Sequence, residues 1–223
     1  MGSLFLVRHA TTEASRAGRN LGQRADPGLA AEGEDLAART GAAIAAELAA
    51  LGHDVLRVVT SPALRSRQTA TAIAAAIGSP PLEVEPGLQE LDYGAWEGLT
   101  AAECLARDPV LRARWERDPY RTAAPDGESG RDVAARAFPV LGALEAWLAA
   151  DRARALVAVS HNHVLRLRLT ALLGLPLREY RRRVRTDPAA YSLATFGGAL
   201  PTVRRINVTA PEEVAKAPSG ATL

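Results

Sequence analysis

Three apolar stretches of this chain each run directly into residues that can grip or attack an anion. Leu4-Phe5-Leu6-Val7 runs into Arg8-His9. Asp54 to Val59 leads through Thr60-Ser61 to Arg65, one helical turn further on. Ala155-Leu156-Val157-Ala158-Val159 ends in Ser160-His161. A guanidinium presents a planar fork of donors that matches paired oxyanions, and a neutral imidazole nitrogen is a nucleophile. Together they suit a phosphoryl group, which needs both a clamp for its oxygens and an attacking atom. A single Arg or His is usually structural or solvated. Three such groups on one edge of a sheet point to a site.

That edge depends on the elements carrying the groups. Short continuous apolar runs read as strands covered on both faces. In a parallel α/β sheet, ligands bind just beyond the carboxyl ends of the strands. Helical patterns fill the intervals. Thr11 to Glu32 reads as a polar, Gly-rich loop, and an Ala-rich helix is predicted from about Glu34 to Leu51. Ser61 is expected to cap the next helix, with Pro62 at its first position and its end near Ile77. Leu82-Glu83-Val84 is a short strand candidate, and Leu88 to Gly127 is irregular with helical patches. Ser129-Gly130-Arg131-Asp132 resembles a capping box opening a helix to about Ala150, with a kink or break expected at Pro139. Another helix follows His161 to Leu173 and closes at Gly174, and Tyr191 to Phe196 and Thr202 to Val208 read as strands. The alternation predicts an α/β three-layer sandwich: a mostly parallel central sheet with helices on both faces. Residues 1–208 are expected to form one domain, with 209–223 a mobile C-terminal tail.

Composition narrows the partners. The chain has 223 residues, 48% of them hydrophobic, and a net charge of only +2. That balance argues against general binding of nucleic acid or a membrane surface, which would need a basic surplus. Lys216 is the only lysine, so the basic residues are nearly all Arg, mostly on helical surfaces. Cys104 stands alone, which leaves no intramolecular disulfide and no thiolate metal cluster. The apolar run at the N-terminus is too short for a signal or a membrane span, so a cytoplasmic location is expected.

Read in order, the motifs carry a family resemblance. Arg8-His9-Ala10-Thr11-Thr12-Glu13 resembles the opening motif of the histidine phosphatase superfamily, in the branch that includes cofactor-dependent phosphoglycerate mutases. The likeness continues through Gly18-Arg19, Gly22 and Asp26-Pro27-Gly28-Leu29 to Gly33. Ser61 to Ala70 looks like the second motif, Leu88 to Gly98 the acid-bearing loop, and Val159-Ser160-His161 with Val164-Leu165-Arg166 the second histidine motif. Gly127-Glu128-Ser129 matches a further segment. The resemblance spans nearly the whole chain and implies a phosphoglycerate mutase-like fold.

It also implies roles. His9 would be the nucleophile that forms a phosphohistidine, and Arg8, Arg65 and His161 would hold the phosphoryl oxygens. Glu90 would be the acid that protonates the leaving oxygen, with Asp92 as fallback. This much fixed positive charge makes a metal or cofactor unnecessary. The sequence departs from the family pattern at Ser15, where Asn is common, and at Asn162-His163, where two glycines are common. Ser15 can still donate to phosphate, and the Asn162 N–H can face it at a helix start. His163 adds bulk at the pocket edge. A metal pair made of His161 and His163 is disfavoured for want of a third ligand, and His53 reads as an exposed loop residue. Residues 98–127 are expected to lie over the pocket mouth as a lid. Most of their arginines (Arg107, Arg112, Arg114, Arg117, Arg121) are expected to be solvated, with one or two within reach of substrate.

The expectation is therefore a metal-independent phosphomonoesterase acting on a small phosphoester, with no nucleic-acid or membrane partner; a homodimer is compatible with the sequence. Two alternatives remain open at this point: a mutase-like phosphotransferase using the same two-step chemistry, and a non-catalytic phospho-ligand binding module.

Overall fold

The computed structural model describes residues 1–211. Its centre is a six-stranded sheet built from β1 (Gly2–Arg8), β2 (Val55–Thr60), β3 (Leu82–Val84), β4 (Arg154–Ser160), β5 (Tyr191–Phe196) and β6 (Thr202–Val208), in the order β3-β2-β4-β1-β5-β6. β3, β2, β4 and β1 run parallel; β5 is antiparallel to both of its neighbours. The register sets Arg8 opposite Ser160 and Thr60 opposite Val159. The three residue groups singled out above therefore reach one edge together.

Alternation along the strands divides the core in two. Leu4 and Leu6 of β1 and Leu156 and Ala158 of β4 face one side; Phe5, Val7, Val157 and Val159 face the other. The second side is covered by α2 (Ala31–Leu51) and α3 (Leu64–Ala76) through Ile44, Leu48, Ala70 and Ile73. The first is covered by α6 (Gly130–Ala149) and α7 (Asn162–Leu172) through Leu141, Leu148, Val164 and Leu165. Each fully buried aliphatic or Phe side chain here stabilises the fold by about 1.5–3 kcal/mol. The three-layer α/β architecture is as predicted. Four short helices complete it: α1 (Glu13–Arg16), α4 (Ala101–Arg107), α5 (Pro109–Arg117) and α8 (Tyr180–Arg183).

Several local expectations need correction. α2 begins three residues before Glu34, inside the stretch read as loop, with Glu32 and Glu34 both in its first turn. Gly33 makes this early start fit: a Cβ there would stand 2.2 Å from the Thr11 carbonyl oxygen. Ser61 does not cap α3 and Pro62 is not helical; the helix starts at Leu64. Asp26 Oδ1 accepts the Leu64 N–H instead, at 2.7 Å, which leaves Ser61 free for another role. α6 runs unbroken through Pro139. The carbonyl that Pro139 leaves unpaired belongs to Ala135, and both residues are exposed, so water replaces the missing donor. His53 is half-buried rather than exposed, because its Nε2 lies 2.7 Å from Ser3 Oγ. The Ser129–Asp132 capping box forms as predicted. Of the tail expected from 209 on, Ala210 is buried and residues from 212 lie outside the described residues.

Candidate active site

The strand ends are locked by main-chain bonds that continue one step past the sheet. His9 N–H donates to the Ser160 carbonyl at 2.9 Å, and Ser61 N–H to that of Val159 at 3.1 Å. Ala10 N–H donates to Thr69 Oγ1 of α3 at 3.0 Å, which pins the turn after β1. His9 is 4% exposed, and its Nδ1 sits 2.8 Å from the Ala10 carbonyl oxygen. That contact requires Nδ1 to carry the proton and leaves the Nε2 lone pair free. Burial, then His161, Arg8 and Arg65, hold the His9 imidazole well below its ordinary pKa, so it is neutral and nucleophilic.

Three cationic or potentially cationic groups surround it. Arg65 is buried in the first turn of α3, donating to the Gly22 carbonyl at 2.9 Å, while its Nε has no partner. Arg8 donates to the Thr186 carbonyl at 2.8 Å, and its Nε is likewise buried and unpartnered. Burial lowers both guanidinium pKa values, and Glu90 opposes that shift in each. The His161 ring centroid lies 5.1 Å from that of His9. His161 Nε2 is 2.7 Å from Ser61 Oγ, and Nδ1 is buried without a partner. Burial, against Glu90 and assisted by Arg65 and Arg8, brings His161 down to about 3. Unpaired buried donors such as these are costly unless a ligand completes them. An oxyanion would do so.

Glu90 sits on the loop after β3. Its carboxylate is 5% exposed, and Oε1 accepts the N–H groups of Leu91 at 2.9 Å and His163 at 3.2 Å. Burial alone would raise this carboxyl, but His163, His161 and the Leu91 N–H outweigh it and hold Glu90 below the usual carboxylate range. The loop is positioned by Arg136 of α6, which donates to the carbonyls of Gly87, Gln89 and Glu90 at 2.8–3.0 Å and pairs with Glu128. Ser160 Oγ adds a bond to the Leu88 carbonyl at 2.8 Å.

Arg8, His9, Ser15, Glu90 and Asn162 line one cavity of about 240 Å³; Arg65 and Glu90 line a neighbouring one of about 160 Å³. The Ser15 hydroxyl is engaged in the capping box of α1, with Thr12. Asn162 Oδ1 accepts from Thr186 Oγ1 at 2.8 Å. Asp92 caps its own turn through the Gly94 N–H at 2.7 Å and lines neither cavity. His161 and His163 face different partners, Ser61 and Glu90. Sequence reasoning missed Arg136, Ser61 as a site residue, and Arg181, which lines the larger cavity from α8. A signal for Arg136 did exist: it lies on the inward stripe of its helix with Val133 and Ala137, where a solvated arginine would not.

A neutral histidine with one free ring nitrogen, ringed by buried arginines at the strand ends of an α/β sheet, defines a protein built to handle an oxyanion. The chain belongs to the histidine phosphatase superfamily (branch 1), whose family model matches residues 4–209. It is 36% identical over 211 residues to a bifunctional protein of Mycobacterium tuberculosis, covering 92% of this chain but only 54% of that one. The chain thus spans about half the length of that relative. It is 32% identical to phosphoserine phosphatase 1 of Hydrogenobacter thermophilus, covering 94% of this chain and 93% of that one. A mycobacterial glucosyl-3-phosphoglycerate phosphatase solved with VO3 superposes with a TM-score of 0.80 at 27% identity, over 94% of this chain and 100% of that one.

Proposed function

We propose that this chain is a phosphomonoesterase that hydrolyses a small phosphorylated metabolite through a phosphohistidine on His9. The observation that carries the reading is the His9 ring itself: neutral, tethered at Nδ1, and set among Arg8, Arg65 and His161. In the first step the Nε2 lone pair attacks phosphorus and a P–N bond forms. The P–O ester bond breaks, and the departing oxygen takes a proton from Glu90. In the second step water attacks the phosphohistidine, Glu90 accepts the water proton, and the P–N bond electrons return to Nε2 as phosphate leaves. Arg8, Arg65 and His161 hold the non-bridging oxygens throughout and stabilise the charge that builds on them.

The cavity also bears on the organic half of the ester. Besides the phosphate end it presents Arg19, Asn20 and Arg181, which favour a small, polar and preferably anionic group. The two relatives whose names specify phosphoserine and glucosyl-3-phosphoglycerate support that substrate class. Residues 98–127 are read as the lid over this mouth. Main-chain bonds from Asn20 N–H to the Leu99 carbonyl and from Gly98 N–H to the Asn20 carbonyl, both 2.9 Å, tie their start to the cavity wall. A cytoplasmic setting suits such substrates, which their charge retains inside cells.

The test is phosphate release from 4-nitrophenyl phosphate, with acid-labile phosphate trapped on the protein and located by mass spectrometry. His9→Ala should abolish both signals. Retention of more than about a hundredth of the rate would sink the nucleophile assignment.

A further inference from the structure

Two residues past His161, this chain buries a further imidazole. His163, in the first turn of α7, is 1% exposed and sits beside Glu90. Its backbone N–H donates to Glu90 Oε1 at 3.2 Å, and its ring Nδ1 lies 3.4 Å from the same oxygen. The ring is held from every other direction. Nε2 is 3.5 Å from the Tyr93 hydroxyl. Tyr93 and Tyr180 meet the ring edge-on, with centroids at 5.5 and 5.7 Å, and Trp115 packs at 6.1 Å. Nδ1 is buried without a hydrogen bond of its own, and the nearby Glu90 oxygen, 3.4 Å away, is within reach of a small turn of the ring.

We propose that His163 is a positioning residue that loads Glu90 with the proton it delivers to the leaving oxygen. The inference rests on the phosphomonoesterase reading above. Glu90 and His163 together hold one proton before the ester is cleaved and none after it. The proton passes from Nδ1 to the carboxylate and from the carboxyl to the departing oxygen. The proton removed from water in the second step refills the pair, so the cycle balances with no outside donor.

The electrostatics fit this division. Glu90 is kept ionised in the empty pocket, so a proton on the pair resides on His163. On balance His163 lies below its ordinary pKa, because burial lowers it most, Glu90 opposes, and Arg181 and Arg166 lower it further; the pair is therefore loaded on the acid side of neutral pH. Glu90 is also faced by Arg8, Arg65 and His161. A phosphoester dianion entering the pocket offsets Arg8 and Arg65 and favours moving the proton onto the carboxyl. Two sites sharing one proton retain it to higher pH than either site alone. Removing the imidazole can therefore only lower the pH at which the acid empties.

The experiment compares pH profiles of kcat/KM for phenyl phosphate, whose leaving group needs a proton, and 4-nitrophenyl phosphate, whose leaving group does not. In His163→Gln the alkaline limb on phenyl phosphate should move down by about one pH unit, with little change in KM and little change on the nitrophenyl ester. An unmoved limb, or equal losses on both esters, overturns the proposal and leaves His163 a packing residue. A second measurement needs neither turnover nor a His163 variant. The His163 ring, followed by NMR, should titrate at higher pH in the wild-type protein than in Glu90→Gln, and identical titrations overturn the coupling. If the wild-type protein releases phosphate from neither ester, the phosphomonoesterase reading fails, while the ring titration still decides the coupling.

Discussion

The two halves of the pocket are held by different forces. On the sheet side, His9 and Ser61 are fixed by the main-chain ladder, which no side-chain substitution removes. On the acid side, Glu90 sits after a three-residue strand, between two short 3-10 turns (Pro86–Leu88 and Gly94–Trp96), and side chains fix it: Arg136, Ser160, and Gln23 through the Glu90 carbonyl. Backbone-borne geometry can tolerate a lost functional group without collapsing. Side-chain-borne geometry can be lost by a substitution that never touches the substrate. The sheet side should therefore show clean chemical phenotypes, and the acid side mixed phenotypes of activity and stability.

Glu90→Gln sharpens this contrast most. It should cost about 10²-fold or more in kcat/KM on phenyl phosphate and little in kcat/KM on 4-nitrophenyl phosphate, with inorganic phosphate binding unchanged. Equal losses on both esters would make Glu90 a structural residue. Arg136→Met comes next. It strands the Gly87 and Gln89 carbonyls, at up to roughly 1–3 kcal/mol for each group left without a partner, while the Glu90 carbonyl keeps Gln23 and Glu128 keeps the Asp92 N–H. The melting temperature should fall by several degrees, at about 2–4 °C per kcal/mol. Activity on phenyl phosphate should fall more than affinity for inorganic phosphate; a matching fall in both would erase the distinction between the halves.

The pH dependence of stability reads the sheet side directly. His9 and His161 are depressed in the folded state, so the unfolded chain takes up protons first as pH drops through about 6.5. Stability is complete above that value and declines toward the folded pKa, about 3 for His161. Glu90 is also depressed, and its contribution disappears only lower, in the carboxylate range. Thermal melts from pH 7.5 to 5 should therefore slope downward, and His161→Gln should flatten the slope; an unchanged slope would mean His161 is not buried neutral. The smallest effect is expected at Arg121, whose side chain is 69% exposed. Arg121→Ala should alter stability by less than about 0.5 kcal/mol and activity by less than about twofold. A tenfold loss would instead give the 98–127 arginines a direct part in substrate capture.

The sheet side was largely legible in the sequence, and the acid side was not. Apolar runs such as Leu4–Val7 and Ala155–Val159 announce buried strands, and the polar residues that end them announce the site. β5 and β6 were located to the residue because their β-branched and aromatic content is bounded by turns. Glu90 was nominated only through family resemblance, since nothing in local spacing separates it from a surface glutamate. Arg136 is signalled only by its place on the inward stripe of α6, because its partners are carbonyls almost fifty residues away, brought close by α6 packing on the loop. Ser61 was misread for a related reason: a local capping rule was outcompeted by Asp26, which tertiary structure brings to the start of α3. Pro139 shows the converse, where a strong local rule gave way because the orphaned carbonyl reaches water.

The place of β1 in the sheet has a consequence for synthesis. β1 carries the nucleophile at its end, yet it pairs only with β4 and β5, which begin at Arg154 and Tyr191. A ribosome adding about 5–20 residues per second leaves Leu4–Val7 without its neighbours for on the order of ten seconds or more. For that interval the nascent chain exposes a bare apolar strand, and His9 has neither its clamp nor its tautomer-fixing surroundings. Pairings this distant in sequence close late and slowly. The strand that bears the nucleophile is therefore among the last parts of this domain to become active, and the nascent domain should depend on protection from aggregation until β5 arrives.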